Sequence, residues 1–441
     1  MEYPIDRYRQ RAWKTFSDLF ETFKSSTNAW QVGNVFDTLT DYVVRFPEAE
    51  PSPCAVAEAA LERWHRTQGS MCWYDDYGWW GIASAKAFDD EYAGIFGSHR
   101  GDFQKIATDC WDVMRRGKPD KEYEGKGYRG VPMVWGNRDE GSQTGYFTSP
   151  ETWAVPRFPG GVWQYEMFVD ARGEGECSPS NPSNPSMSDK MGWGDFAPPQ
   201  VVKLGPFQNT VVNGLYLVLA LRLRLRDEGA GADKALRSEM MFLNSWFELE
   251  KDEGLLLHFP DGSALVRERV GTYDYCEATK SYPPVRGYQV DKVWCGDQGL
   301  ILGGLLDYLS VEPSDPKAES RAVSIARGVL RHLVLDQGVM PYSAGFDAYN
   351  DADDYSCGSG VFWRYLLWGF GRNAALRKEV LSFVAEDPEN NAIYKSAEHA
   401  YASKPPYEPT NNKLFTDFNV LATLTAAIEI LKEAERSGAE E

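Results

Sequence analysis

Apolar residues recur every three to four positions along most of this chain, and no other feature limits its fold as strongly. From Asp6 to Ser25, the residues Trp13, Phe16, Leu19, Phe20 and Phe23 fall on one stripe. The same period runs through Val32–Phe46, Val56–Thr67, Gly78–Tyr92 and Asp102–Arg116, then through Asn209–Arg226 and Lys234–Glu250. It returns in Asp297–Leu309, Ala318–Leu335, Gly358–Phe370, Leu376–Ala385, Ala392–Tyr401 and Asn412–Glu435. Most gaps are short, so neighbouring helices are expected to fold back on one another as antiparallel hairpins.

Two stretches break the period. Gly117–Pro206 is rich in Gly, Pro, Trp and Ser and contains the run Ser178–Ser186. Its tryptophans Trp135, Trp153, Trp163 and Trp193 argue for ordered loops, with a short hairpin, lying over one end of the helical core. Leu255–Trp294 is irregular too, rich in Tyr and charge. Neither stretch reads as a domain boundary. The expected fold is all-α: an (α/α)6 barrel, a double ring of helical hairpins. It is expected to form one domain over residues 1–441, with long loops and a short β-hairpin over the active-site end. The more apolar segments, such as Val211–Leu223 and Leu300–Leu309, belong in the inner ring. The loops leading into inner helices would then build a concave, aromatic-lined cleft.

Charge narrows the choice of ligand. The chain carries a net charge of -19 over 441 residues, which opposes nucleic acid and anionic membranes, since both call for a basic patch. It also disfavours a polyanionic substrate, so a neutral polymer fits better. Aromatic content of 14% signals a heavy core or a stacking surface. The seven cysteines form no CxxC pair, and the five histidines show no HxH or HExxH spacing; no metal and no cofactor is expected. Asp347–Asp354 is rich in aspartate, but Ser356 and Phe362 stand where a calcium loop needs Gly and Glu. No apolar run is seen to approach the ~20 residues of a membrane span, and Met1–Arg7 does not read as a signal peptide. The expected compartment is cytoplasmic as the chain stands, or extracellular if a leader preceded it.

One segment stands out chemically: Cys72-Trp73-Tyr74-Asp75-Asp76-Tyr77-Gly78-Trp79-Trp80-Gly81. Two adjacent carboxylates repel unless one is protonated or the pair is put to use. An acid pair among aromatic faces is the equipment of glycoside hydrolysis, in which one carboxylate attacks or stabilises the sugar cation and the other handles the proton. The pair precedes a helical pattern beginning near Gly78, where a helix N-terminus favours negative charge. Capping offers a simpler reading, yet one cap explains one aspartate, not two within an aromatic cage. Tyr74, Trp79 and Trp80 are candidates to stack on sugar rings. Trp79 and Trp80 are ~100° apart on a helix, so at least one is expected to pack inward.

Further candidates are scattered. Asp297 and Gln298 open an apolar helix and either bind sugar hydroxyls at the ring mouth or cap the helix. Arg364 lies in an apolar run, where an unpaired charge is costly, so it requires an acid of the site or of the core. Trp163 and Glu268 are further candidates for sugar contacts. Asn209 and Asn213 share one helical face, and Asn209 reads as a cap.

The segment Trp73–Trp80 resembles the central motif of glycoside hydrolase family 76, which contains bacterial endo-α-1,6-mannanases. Supporting pieces arrive in family order: Gly160–Gln164, Gln208–Gly214, Trp294–Gly299 and Gly360–Tyr365. Together they span the chain from about residue 5 to about residue 435. The resemblance implies an (α/α)6 barrel and retaining hydrolysis of α-1,6-linked mannose polymers or oligosaccharides, with Asp75 as nucleophile and Asp76 as general acid/base. Tyr77 stands where the family often has an acid, and Asp297 where it often has Asn. A transglycosidase with the same pair, and a non-catalytic carbohydrate-binding protein, are the competing readings.

Overall fold

Among the described residues, six helices close into a ring. The computed structural model describes residues 3–71, 74–90, 92–115, 128–129, 153–154, 161–162, 167–169, 175–177, 209–224, 232–249, 254–268, 293–336, 343–344, 356–384, 387–402 and 413–438. In chain order the helices are α1 (Ile5–Ser25), α2 (Ala29–Arg45), α3 (Pro53–Thr67), α4 (Tyr74–Ala87), the short α5 (Ala93–Phe96) and α6 (Arg100–Met114). After these come α7 (Thr210–Arg224), α8 (Ala232–Phe247), α9 (Cys295–Val311), α10 (Pro316–Gly328), α11 (Gly358–Phe370), α12 (Ala374–Leu381), α13 (Ala392–Tyr401) and α14 (Lys413–Gly438). Helix α2 packs on α4, α4 on α7, α7 on α9, α9 on α11, α11 on α14, and α14 returns to α2. The remaining long helices pack outside this ring, so the fold is the (α/α)6 barrel expected from the period.

Sequence explains which helices lie inside. Outer helices such as α1 bury one stripe, Tyr8, Ala12, Phe16, Leu19 and Phe23, as amphipathic helices do. Trp13, placed on that stripe by its spacing, instead faces solvent at 52% exposure. Inner helices such as α9 and α11 are buried on nearly every side. Helix α14 is apolar enough over an 18-residue window to pass for a membrane span by length and composition, which corrects the expectation that no such run exists. In the fold, 83% of that window is buried inside the protein, against α11, α2 and the outer helices α1 and α13.

Close approaches between inner helices fix their direction. A Cβ on Gly78 would meet Leu215, one on Gly214 would meet Leu300, one on Gly299 the Val361 carbonyl, and one on Gly360 the Phe418 ring. Each contact joins the first two turns of one helix to the first two of the next. The inner helices therefore run parallel, with their N-termini at one end. The long connections, before α7, α9, α11 and α14, all lead into that end, whereas those leaving the other end are mostly short.

The described strands form four antiparallel pairs: β1 (Tyr128–Arg129) with β2 (Trp153–Ala154), β3 (Met167–Val169) with β4 (Gly175–Cys177), β5 (Leu256–His258) with β6 (Ala264–Val266), and β7 (Val293–Trp294) with β8 (Ser343–Ala344). A single short hairpin was expected. Strands of two or three residues are too brief to produce a readable alternation.

Candidate active site at the mouth of the ring

The acid pair lies in the first turn of an inner helix. Helix α4 begins at Tyr74, four residues earlier than the period suggests, so Asp75 and Asp76 are inside the helix rather than ahead of it. Aspartate is well suited to that position, because the exposed N–H groups and the dipole favour negative charge. The apolar period cannot register a turn that is acidic. Asp76 is enclosed, 8% exposed, and Asp75 is partly exposed. Tyr74 and Tyr77 are buried beside them. Trp79, also buried, meets Trp294 edge-on with ring centroids 6.5 Å apart, which ties the start of α4 to the start of α9.

Two neighbouring inner helices bring further acids to the same end. Asp297 lies fully buried in the first turn of α9. Glu268, also buried, is held against the start of α7: its carbonyl accepts from the Thr210 N–H at 3.0 Å, and the Arg267 carbonyl accepts from Thr210 Oγ1 at 2.8 Å. Tyr74, Asp75, Asp76, Trp79, Glu268 and Asp297 thus lie around the N-termini of α4, α7 and α9, all but Asp75 buried. Asn209 caps α7, its Oδ1 accepting from the Val212 N–H at 3.0 Å.

Three buried amides organise the loops of this mouth. Asn213 accepts from the Val162 N–H at 2.8 Å and donates to the Val162 and Asn209 carbonyls. Gln298 accepts from the Val266 N–H and donates to the carbonyls of Val266 and Trp294. Asn419 accepts from the Gly360 N–H at 2.8 Å and donates to the Ser356 carbonyl at 2.6 Å. Asn213 was read only as a face-mate of Asn209, and Asn419 was missed. Their signal is an amide within the first two turns of a helix that is buried along most of its length.

Three sequence candidates are corrected by these contacts. Gln298 spends its amide oxygen and nitrogen on backbone, so it shapes the mouth instead of meeting a sugar. Trp80 is fully buried, donates its indole N–H to the Ala29 carbonyl at 2.9 Å and packs edge-on to Trp64; it is core. Arg364 is buried within the ring, its Nε 3.0 Å from Asp37 and its Nη1 donating to Asn34 and Thr38. Its acid is therefore one of the core. Trp163 lies outside the described residues.

Asp37 also lies 2.5 Å from Lys86, which reaches Asp41 at 3.0 Å. Further along, Arg222 faces Asp307 at 3.4 Å, and Trp368 donates to the same carboxylate. Burial alone would raise the Asp37 pKa, but the positive charges of Arg364, Lys86 and Arg222 outweigh it and hold the carboxyl below its ordinary value. Burial lowers the Lys86 pKa, against the opposing pull of Asp37 and Asp41.

A second constellation has the spacing of a hydrolytic triad without its access. Ser263 Oγ is 3.0 Å from His332 Nε2, and His332 Nδ1 is 3.0 Å from Asp336. Ser263 is fully buried, and its hydroxyl donates to Asp261 at 2.5 Å. That bond, the Ser263 N–H and nearby Arg331 hold Asp261 well below the usual carboxylate range. A nucleophile needs an exposed oxygen and a base free to take its proton; this cluster braces the β5–β6 turn.

No protein-family model and no curated protein matches the sequence. Solved structures do match the fold. An inactive variant of an α-1,6-mannanase from Salegentibacter sp. HEL1_6, with two adjacent aspartates replaced by asparagine and α-1,6-mannotriose bound, is 13% identical at a TM-score of 0.58, over 96% of this chain and 99% of that one. The mannanase without those replacements gives 0.56 at 13% identity over the same shares. Dfg5 from Chaetomium thermophilum, in complex with glucosamine, gives 0.51 at 13% identity, over 91% of this chain and 80% of that one. The barrel expected from the family 76 resemblance is thus matched at the level of fold.

Proposed function

We propose that this protein is a retaining glycoside hydrolase acting on α-1,6-linked mannose chains, with Asp75 as nucleophile and Asp76 as general acid/base. One observation carries the reading: an adjacent aspartate pair in the first turn of an inner helix, at the polar end of the barrel, among buried aromatic rings. The α-1,6-mannanase that shares this fold is made inactive by replacing two adjacent aspartates, which supports giving the chemistry to the pair here.

In the first half-reaction Asp75 attacks the anomeric carbon, and Asp76 gives its proton to the leaving glycosidic oxygen. In the second, Asp76 takes a proton from water as the water displaces Asp75. Asp76 is the more enclosed, which suits a group that must hold a proton, while the partly exposed Asp75 suits one that must stay ionised. The helix N-terminus steadies that charge. Tyr74, Trp79, Glu268 and Asp297, buried around the pair, form the packed floor beneath it and set where it stands.

Hydrolysis of linear α-1,6-mannan, with product anomers followed by proton NMR, tests this. Release of α-anomers that is lost in Asp75→Asn supports the reading. Release of β-anomers would overturn the retaining mechanism, and binding without cleavage would favour the carbohydrate-binding alternative. Longer products in place of reducing ends would indicate transglycosylation.

A further inference from the structure

At the opposite end of the barrel, three side chains of different chemistry converge on the outer surface. Cys54 lies in the first turn of α3 and Glu58 one turn later, so both project from the same face of that helix. His99 comes from the 3-10 turn Gly97–His99, between α5 and α6. One ligand atom from each, a thiol sulfur, a carboxylate oxygen and a ring nitrogen, lies within 4.8 Å of the others.

The turn that carries His99 is anchored. Phe96, immediately before it, is buried against Phe36 of α2 and Phe103 of α6, at centroid separations of 6.3 and 5.8 Å. The turn that carries His99 is therefore held by packed core. Asp102, on the next turn of chain, stands 3.6 Å from His99 Nδ1.

We infer that Cys54, Glu58 and His99 form a binding site for a divalent transition metal, with zinc the best match. Thiolate, imidazole and carboxylate are together the donor set of zinc. Bond lengths of about 2.3 Å to sulfur and about 2.1 Å to oxygen, at a tetrahedral angle, separate those two atoms by about 3.6 Å. Cys54 Sγ and Glu58 Oε1 are 3.6 Å apart. Three protein ligands leave a fourth position for water, and the exposure of Cys54 and Glu58 supplies the entry path. Of the free cysteines among the described residues, Cys54 alone is exposed; Cys110, Cys295 and Cys357 are buried. The net charge of -19 draws cations toward the surface. A metal here links α3 to the α5–α6 turn, at the end of the barrel opposite the acid pair, and acts on stability independently of sugar chemistry.

Titration of the metal-free, reduced full chain with cobalt(II) tests the site, read by the thiolate-to-cobalt charge-transfer band. The wild type is expected to develop that band and saturate at one equivalent. Cys54→Ser removes the band, and His99→Ala weakens binding at least about tenfold. Zinc raises the unfolding temperature of the wild type and leaves that of Cys54→Ser unmoved. Absence of the band in the wild type, its persistence in Cys54→Ser, or unaltered affinity in His99→Ala would each overturn the assignment.

Discussion

The side-chain oxygen of Gln298 accepts the Val266 N–H at 2.6 Å, and its nitrogen returns a hydrogen bond to the Val266 carbonyl at 2.7 Å. One inner-helix amide thus fastens the strand that leads to Arg267 and Glu268, and so decides where that acid meets the mouth. Gln298→Ala leaves two buried backbone groups unpaired, at about 1–3 kcal/mol each. Urea unfolding is expected to show that loss, and the proposed activity on α-1,6-mannan is expected to fall with it. An unchanged unfolding midpoint would refute the clamp.

Asp75→Asn and Asp76→Asn are expected to behave differently from Gln298→Ala. Each keeps the shape of the side chain in the first turn of α4, so the unfolding temperature should move little. Turnover should drop by about 10²–10⁴-fold in Asp76→Asn, the usual scale for losing a general acid, and at least as far in Asp75→Asn. Steady-state kinetics beside circular dichroism melts measure both, and wild-type turnover in either variant sinks the assignment.

The charge cluster inside the ring has a pH signature. Asp37 is held below its ordinary value in the folded protein, whereas an unfolded aspartate titrates near about 3.9. The unfolded chain therefore binds the proton first as pH falls. The stabilisation is complete above pH ~4 and is lost as pH drops through the lower native value. Asp37→Asn should flatten this acid-side slope. It should also cost about 3–5 kcal/mol at neutral pH, because Lys86 and Arg364 lose a shared buried counter-ion. Denaturant titrations between pH 2 and 7 follow both effects, with pH ~4 as the turning point.

Close helix packing makes a sharper mutational contrast. A Cβ on Gly303 would sit 2.1 Å from the Tyr365 ring, while a Cβ on Gly101, at the start of α6, would meet nothing within 4 Å. Gly303→Ala is expected to destabilise by about 1–3 kcal/mol through overpacking, and Gly101→Ala to cause no loss. Equal urea midpoints for the two variants would contradict the tight α9–α11 seam.

Much of the barrel was legible because helices announce themselves locally. The stripe in α1 and the all-round apolarity of α9 and α11 follow from spacing alone, and long loops lead into the N-terminal end of the inner ring. The start of α4 was not legible, since its first turn is acidic and carries no apolar period. The paired strands were too short to alternate. Trp80 and Trp79 looked equivalent as neighbours in sequence, yet one donates to Ala29 inside the core and the other meets Trp294 near the mouth.

By itself, then, the sequence determined the helices, their alternation between inner and outer rings, and the adjacency of Asp75 and Asp76. All of these depend on residues within a few turns of one another. Tertiary structure alone decided the partners of Arg364 and Gln298 and the meeting of Cys54, Glu58 and His99. Arg364 reaches back more than 300 residues to Asn34, and the period of a helix carries no information about contacts at such separation. A buried charge or amide finds its partner only when the ring closes, and that closure, not local propensity, separates residues that touch a substrate from those that hold the barrel together.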